Sequence, residues 1–223
     1  MCASKIQPMS QFKPDRGQRI YLAIMAVAGW VALVGQLWLM MDGRVIPFNE
    51  VMIRYLGYFT ILTNILAAIC ATVLALAPGS RWGDFFGKVS VQTAIVVYIV
   101  VVGCTYNLVL RQIWDPQGFQ RVVDEWLHVG MPVMFFLFWL LWTPKSALQW
   151  GDIPGWLVYP ALYAAFILVR GAYTGYYPYP FMDAGKLGYD RVLLNSGVLV
   201  IFFLVLSLMS VGAAKLTLRA KRR

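Results

Sequence analysis

The chain has 223 residues, of which 60% are hydrophobic and 13% charged, with a formal net charge of +9 at pH 7. A soluble globular domain is nearer half apolar and a quarter charged, so this balance excludes a water-soluble enzyme and a disordered chain. The basic residues do not form one solvated face, which sets aside nucleic acid as a partner. Three cysteines without paired spacing exclude a disulfide scaffold and a zinc ribbon. A single histidine excludes any haem or zinc centre that needs two.

A membrane crossing needs about 20 mostly apolar residues. In chain order, the segments 20–41, 55–77, 89–113, 122–142, 153–175 and 192–218 meet that requirement. The sequence therefore predicts an all-α polytopic membrane protein of six transmembrane helices. A segment 1–19 precedes the transmembrane domain 20–218, and a basic tail 219–223 follows it. The first span is too long and starts too late for a cleaved signal peptide, and no small-residue cleavage site follows Met40-Met41-Asp42. The connections are too short to hold a soluble domain, and no internal repeat of the inverted-transporter kind is present.

With six spans both termini share a side. Twelve of the 19 Lys and Arg residues fall on that side and seven on the other. The bias places both termini in the cytoplasm, with the tail from Arg219 to Arg223 as a membrane-surface anchor. Seven of the ten acids fall on the outer side, so that face carries both charge signs.

Depth is the informative coordinate for the polar residues inside the spans. Gln36 lies near the outer end of the first span, and Thr60, Thr63 and Asn64 occupy the outer turns of the second. Thr105, Tyr106, Asn107 and Arg111 close the third, while Asp124, Glu125 and His128 open the fourth. Arg170 and Tyr173 end the fifth, and Asn195 and Ser196 begin the sixth. At 1.5 Å rise per residue, Thr60 and His128 each lie roughly 8–9 Å inside the outer boundary. The inner halves, such as 67–77, 134–142 and 198–206, are much barer. Polar groups are costly in hydrocarbon and face a bundle interior or a wet cavity, so one layer of them predicts one outer pocket. Asp124 and His128 are spaced i, i+4, as are Thr60 and Asn64 and also Asn107 and Arg111. Pro132 removes the backbone bond to the His128 carbonyl and predicts a bend just inside this layer.

Threonine, histidine and a carboxylate form an acyl-transfer set: the imidazole takes the hydroxyl proton and the carboxylate orients the ring. Asn, Arg and Tyr donors then stabilise an oxyanion. Each residue also has a plainer reading. A helical Thr commonly bonds its own i−4 carbonyl, a buried His packs as a neutral ring, and Asn64 and Asn107 serve as interhelical bonds. Arg111, Arg121 and Arg170 can snorkel to headgroups, and Trp38, Trp142, Trp156 and Tyr176 fit an interfacial aromatic belt. The loop Gly175-Tyr176-Tyr177-Pro178-Tyr179-Pro180-Phe181 is stiff, extended and amphipathic. It either caps the pocket or rests among headgroups.

The run Tyr58-Phe59-Thr60-Ile61-Leu62-Thr63-Asn64 resembles a signature of a bacterial family of six-span membrane proteins. Tyr106-Asn107…Arg111, Leu127-His128…Pro132, Tyr159-Pro160…Tyr163, Arg170-Gly171, the Tyr-Pro-Tyr-Pro-Phe loop and Gly188…Asn195 follow in the family's order. That family is similar to the eukaryotic androgen-induced and androgen-dependent TFPI-regulating proteins, which are intramembrane threonine hydrolases of fatty-acid esters of hydroxy fatty acids. The resemblance implies Thr60 as nucleophile and His128 as base. Thr63 stands where the bacterial family often has Ser, which leaves it as an alternative nucleophile.

The expectation is a lipid-ester hydrolase in the bacterial cytoplasmic membrane, acting on a lipid or acyl ester without metal or cofactor. Asp124 would orient the imidazole. Asn64, Asn107, Arg111, Arg170, Tyr177 and Asn195 would supply oxyanion or substrate contacts. A non-catalytic lipid-binding protein and a small-solute transporter are the alternatives.

Overall fold

The structure, a computed structural model, describes residues 11–42 and 44–220, with side chains to residue 216. Lys5, Lys221, Arg222 and Arg223, which enter the charge reading above, lie outside the described residues. Helix α1 (Arg16–Met41) starts four residues before the expected span because Asp15 and Gln18 form a capping box. A short helix α2 (Phe48–Tyr55) follows, and α3 (Phe59–Leu76) is the second long helix. The expected span from residue 55 is thus corrected. The chain breaks at Leu56-Gly57-Tyr58, where a Cβ on Gly57 would lie 2.7 Å from the Arg170 guanidinium.

Helix α4 (Arg81–Phe86) is a short connector, and α5 (Val89–Leu108) passes into one 3-10 turn at Leu110–Gln112. Helix α6 (Gly118–Glu125) continues through a π-turn, Trp126–Gly130, into α7 (Met131–Trp142). The bend expected from Pro132 takes this form. Pro132 cannot donate to the His128 carbonyl, and the Met131 N–H reaches back to Trp126 instead. Helix α8 (Ile153–Thr174) ends on Gly175 at φ +69°, a left-handed cap. One 3-10 turn (Pro180–Met182) and the four-residue α9 (Ala184–Leu187) lead to α10 (Tyr189–Ala220).

Six helical segments are long and apolar enough to cross a membrane, and no strand occurs among the described residues. The protein is a multi-pass, all-α membrane protein. Neighbouring helices run antiparallel. The Tyr21 hydroxyl donates to the Met134 carbonyl of α7, and Arg19 Nε donates to the Ala75 carbonyl of α3. Trp139 Nε1 donates to Thr93 on α5, while farther along the same pair Gly103 lies against the His128 carbonyl. Fully buried Leu22, Met25, Leu74, Ile95, Ile99, Met131, Phe135 and Phe138 fill the centre.

The end of the bundle where α1 begins and α10 ends has its own polar layer, which the sequence reading did not foresee. Gln92 donates to the Phe86 carbonyl and accepts from Thr143, and Lys145 caps the carbonyls of Trp139, Leu140 and Thr143. Each of these groups finds a protein partner, as buried polar groups require.

Candidate functional site

The site lies at the opposite end, where α3 begins. Tyr58 caps α3 without a side-chain hydrogen bond, so the first-turn N–H groups need other acceptors. Two tyrosine hydroxyls supply them. The Phe59 N–H donates to the Tyr163 hydroxyl on α8 and the Thr60 N–H to the Tyr179 hydroxyl, both at 3.2 Å. Thr60 is therefore the second residue of its helix, not a mid-turn residue as a start at 55 implied. It has no helical carbonyl four residues back to bond. Thr72, Thr93, Ser196, Ser207 and Ser210 all make that i−4 bond. Thr60 Oγ1 instead meets the Tyr179 hydroxyl at 3.3 Å. Burial pushes the Tyr179 phenol up from its ordinary value, which keeps it protonated and able to donate.

His128 sits on the π-turn and is buried. Its Nδ1 lies 2.9 Å from the Asp124 backbone carbonyl. A carbonyl only accepts, so Nδ1 carries the proton, and in the neutral ring Nε2 keeps its lone pair. The ring stacks on Tyr106 at 3.9 Å between centroids, with 14° between the planes. The Asp124 carboxylate, expected to orient the ring, makes no hydrogen bond to it. Its nearest oxygen is 4.0 Å from Nδ1, and the carboxylate is engaged elsewhere. Tyr106 and Trp114 donate to one oxygen at 2.8 and 3.0 Å, and Gln120 donates to the other at 3.4 Å. Gln120 also donates to Gln36 on α1. Asp124 thus fixes Tyr106, and Tyr106 supports the imidazole face.

Thr60 and His128 line one cavity of about 420 Å³, together with Tyr58, Tyr106, Asp124 and the Pro178-Tyr179-Pro180 segment. Of the expected polar layer this cavity gathers Gln36, Thr60, Tyr106, Asp124 and His128 but no residue of α8 or α10, and the Tyr-Pro loop roofs it. No hydrogen bond joins Thr60 to His128 among those described. A second, apolar cavity of about 150 Å³ touches Thr60 and Tyr179 from the other side, between α5, α8 and α10. Thr63 lines neither cavity. It is fully buried, with its hydroxyl 3.3 Å from that of Tyr159.

The other expected contacts lie outside both cavities. Asn64 Nδ2 donates to the carbonyls of Thr60 and Leu127, which ties the two site helices together and leaves its buried Oδ1 unpaired. Asn107 bonds Gly103 and Arg111. Arg111 is exposed and held bidentately by Glu125 at 2.6 and 2.7 Å, over the Tyr106 ring. Arg170 and Arg54 flank the Tyr176 ring at 5.3 and 4.4 Å, so Tyr176 is held by two guanidiniums. Trp156, expected in an aromatic belt, is buried and donates to Ser90. Tyr177 packs on Gly171, and Asn195 donates to the Phe181 carbonyl, so both anchor the roof. Trp114, Gln120, Tyr163 and Tyr179 complete the site without having been singled out for it. The i, i+4 spacing of Tyr159 and Tyr163 was the signal for one of them. Among the described residues no three His, Cys, Asp or Glu side chains converge as metal ligands. In comparisons with family models, curated proteins and solved structures, nothing matches the chain.

Proposed function

We propose that this membrane protein hydrolyses lipid esters, with Thr60 as nucleophile and His128 as base. The observation that carries the reading is the placement of a hydroxyl free of the usual i−4 bond and an imidazole anchored through Nδ1 to a backbone carbonyl on one cavity inside the bundle. Thr60 Oγ1 bonds to the ester carbonyl carbon as its proton passes to Nε2. The ester C–O bond breaks and the alcohol leaves with that proton. Water then cleaves the acyl-threonine by the same route, releasing the acid. The Tyr179 hydroxyl, 3.3 Å from Oγ1, is the proposed donor to the developing oxyanion. Thr63 is the weaker nucleophile because it faces Tyr159 and neither cavity. The resemblance of the Phe59-Thr60 and His128…Pro132 runs to a bacterial six-span family, itself similar to eukaryotic intramembrane threonine hydrolases, supports the same pair, and a bacterial cytoplasmic membrane is the proposed location. A lipid-binding role without turnover is the second reading, because the hydrogen-bond partner of Thr60 Oγ1 is Tyr179 and not His128.

The test is hydrolysis of a panel of hydroxy-fatty-acid esters and p-nitrophenyl acyl esters by detergent-purified protein. Thr60→Ala and His128→Ala each lower the rate on the order of a thousandfold, and Thr63→Ala keeps most of it. No turnover by folded wild type would leave the lipid-binding reading.

A further inference from the structure

Leu157, Pro160 and Ala164 on α8 face Ser196, Leu199 and Phe203 on α10. Stripes at spacings of three, four and seven are the ones by which two helices interlock. Here both stripes line the apolar cavity, so the helices are held apart at this level. Asn195 ties the start of α10 to the Phe181 carbonyl at 2.8 Å, and Val211 and Ala214 are buried near its far end. The back wall, Val101 and Val102 of α5, is buried, whereas the rim residues Ala161 and Val200 are exposed. The segments containing α8 and α10 are also the least buried of the six membrane-crossing candidates, at 28% and 17%. The cavity therefore opens sideways, toward the bilayer.

We infer that this cavity binds a single hydrocarbon chain of a membrane amphiphile, admitted through the window between α8 and α10. The inference goes beyond the hydrolase reading, since a chain can lie there whether or not Thr60 turns over. Its walls are almost wholly apolar, and its inner end at Thr60, Tyr179 and Leu110 is shared with the chamber that holds Asp124 and His128. An amphiphile with one tail meets both demands: tail in the window, polar end at Thr60. The hollow of about 150 Å³ is the size of an apolar cavity that takes one benzene-sized guest, which suits part of one chain. An apolar hollow of this kind stays dry, and hydrocarbon is what borders it.

The experiment uses the full chain in phosphatidylcholine vesicles with palmitic acid carrying a mid-chain diazirine. After irradiation, adducts are mapped by mass spectrometry. Adducts are expected on Ala164, Leu199 and Phe203. Ala164→Trp and, independently, Leu199→Trp lower their yield about tenfold, comparable to withdrawing two methylenes from apolar contact. Leu162→Trp, on the exposed face of α8, leaves the yield unchanged. Labelling reads occupancy and not turnover, so a failed hydrolysis assay would not touch this result. Adducts confined to the exposed Leu162, Phe166 and Val198, or full yield in both cavity-filling variants, overturn the inference. The wild-type map alone decides if those variants do not fold.

Discussion

At the scale of single residues, the site departs from a serine-protease-like triad at its third member. The group that fixes the His128 tautomer is a backbone carbonyl at 2.9 Å, while the Asp124 carboxylate stands 4.0 Å off and serves Tyr106, Trp114 and Gln120. A triad carboxylate replaced by its amide costs about 10⁴ in kcat because the wrong tautomer results. Here the amide leaves the carbonyl in place. Asp124→Asn should therefore lower kcat by less than about tenfold, although it costs about 1–2 kcal/mol of stability through weakened bonds to three donors. Ester turnover and a thermal melt of the same variant separate the two effects. A 10⁴-fold loss in a variant that melts normally would return the orienting role to the carboxylate. Sequence spacing brought Asp124 and His128 to one face of one turn. It could not reveal which oxygen of Asp124 turns toward the ring, because that depends on donors from α5 and the segment after it.

At the scale of elements, the roof depends on one glycine. A Cβ on Gly171 would lie 2.0 Å from the Tyr177 ring, a distance no side chain tolerates, so the ring must leave. Tyr177 precedes Pro178-Tyr179-Pro180, and the fixed φ angles of the prolines make that segment move as a unit. Gly171→Ala should thus cost about 1–3 kcal/mol by overpacking, expose the loop to limited proteolysis, and weaken substrate capture. Gly155→Ala, in open space on the same helix, should leave loop protection intact. Unchanged protection in Gly171→Ala would mean that the roof is held by other contacts. The elements themselves were legible to different degrees. Long apolar runs announce spans whatever surrounds them. The start of α3 was not legible, because no polar N-cap marks it and its orphan amides are satisfied by Tyr163 and Tyr179, more than a hundred residues away. The short α2 was missed because its mixed surface satisfies no span criterion. The π-turn was legible only as a bend at Pro132.

At the scale of the whole molecule, the two ends of the bundle are chemically different. Thr60, Tyr106, Asp124 and His128 meet at one end around a cavity. The polar groups at the other end, Gln92, Thr143 and Lys145, close on protein carbonyls and side chains. Thr60 and His128 share a cavity although both starting points of the depth count moved, α3 to Phe59 and the fourth segment to Gly118. Convergence was not legible for Arg111, whose position promised an anion contact but whose guanidinium is already closed by Glu125, fourteen residues on. Which end faces the cytoplasm follows from charge, since Lys and Arg are retained on that side during insertion. The termini end carries the larger share of the 19 basic residues, so the site should face outward. In a cysteine-free background, Gly185→Cys, in the exposed turn beside the roof, should react with an impermeant maleimide on intact cells. Gly79→Cys, in open space between α3 and α4, should react only after permeabilisation. The reverse pattern would put the site on the cytoplasmic face, where an acyl ester would have to arrive from the inner leaflet. The fold and the cavity would stand, and the source of the amphiphile would change.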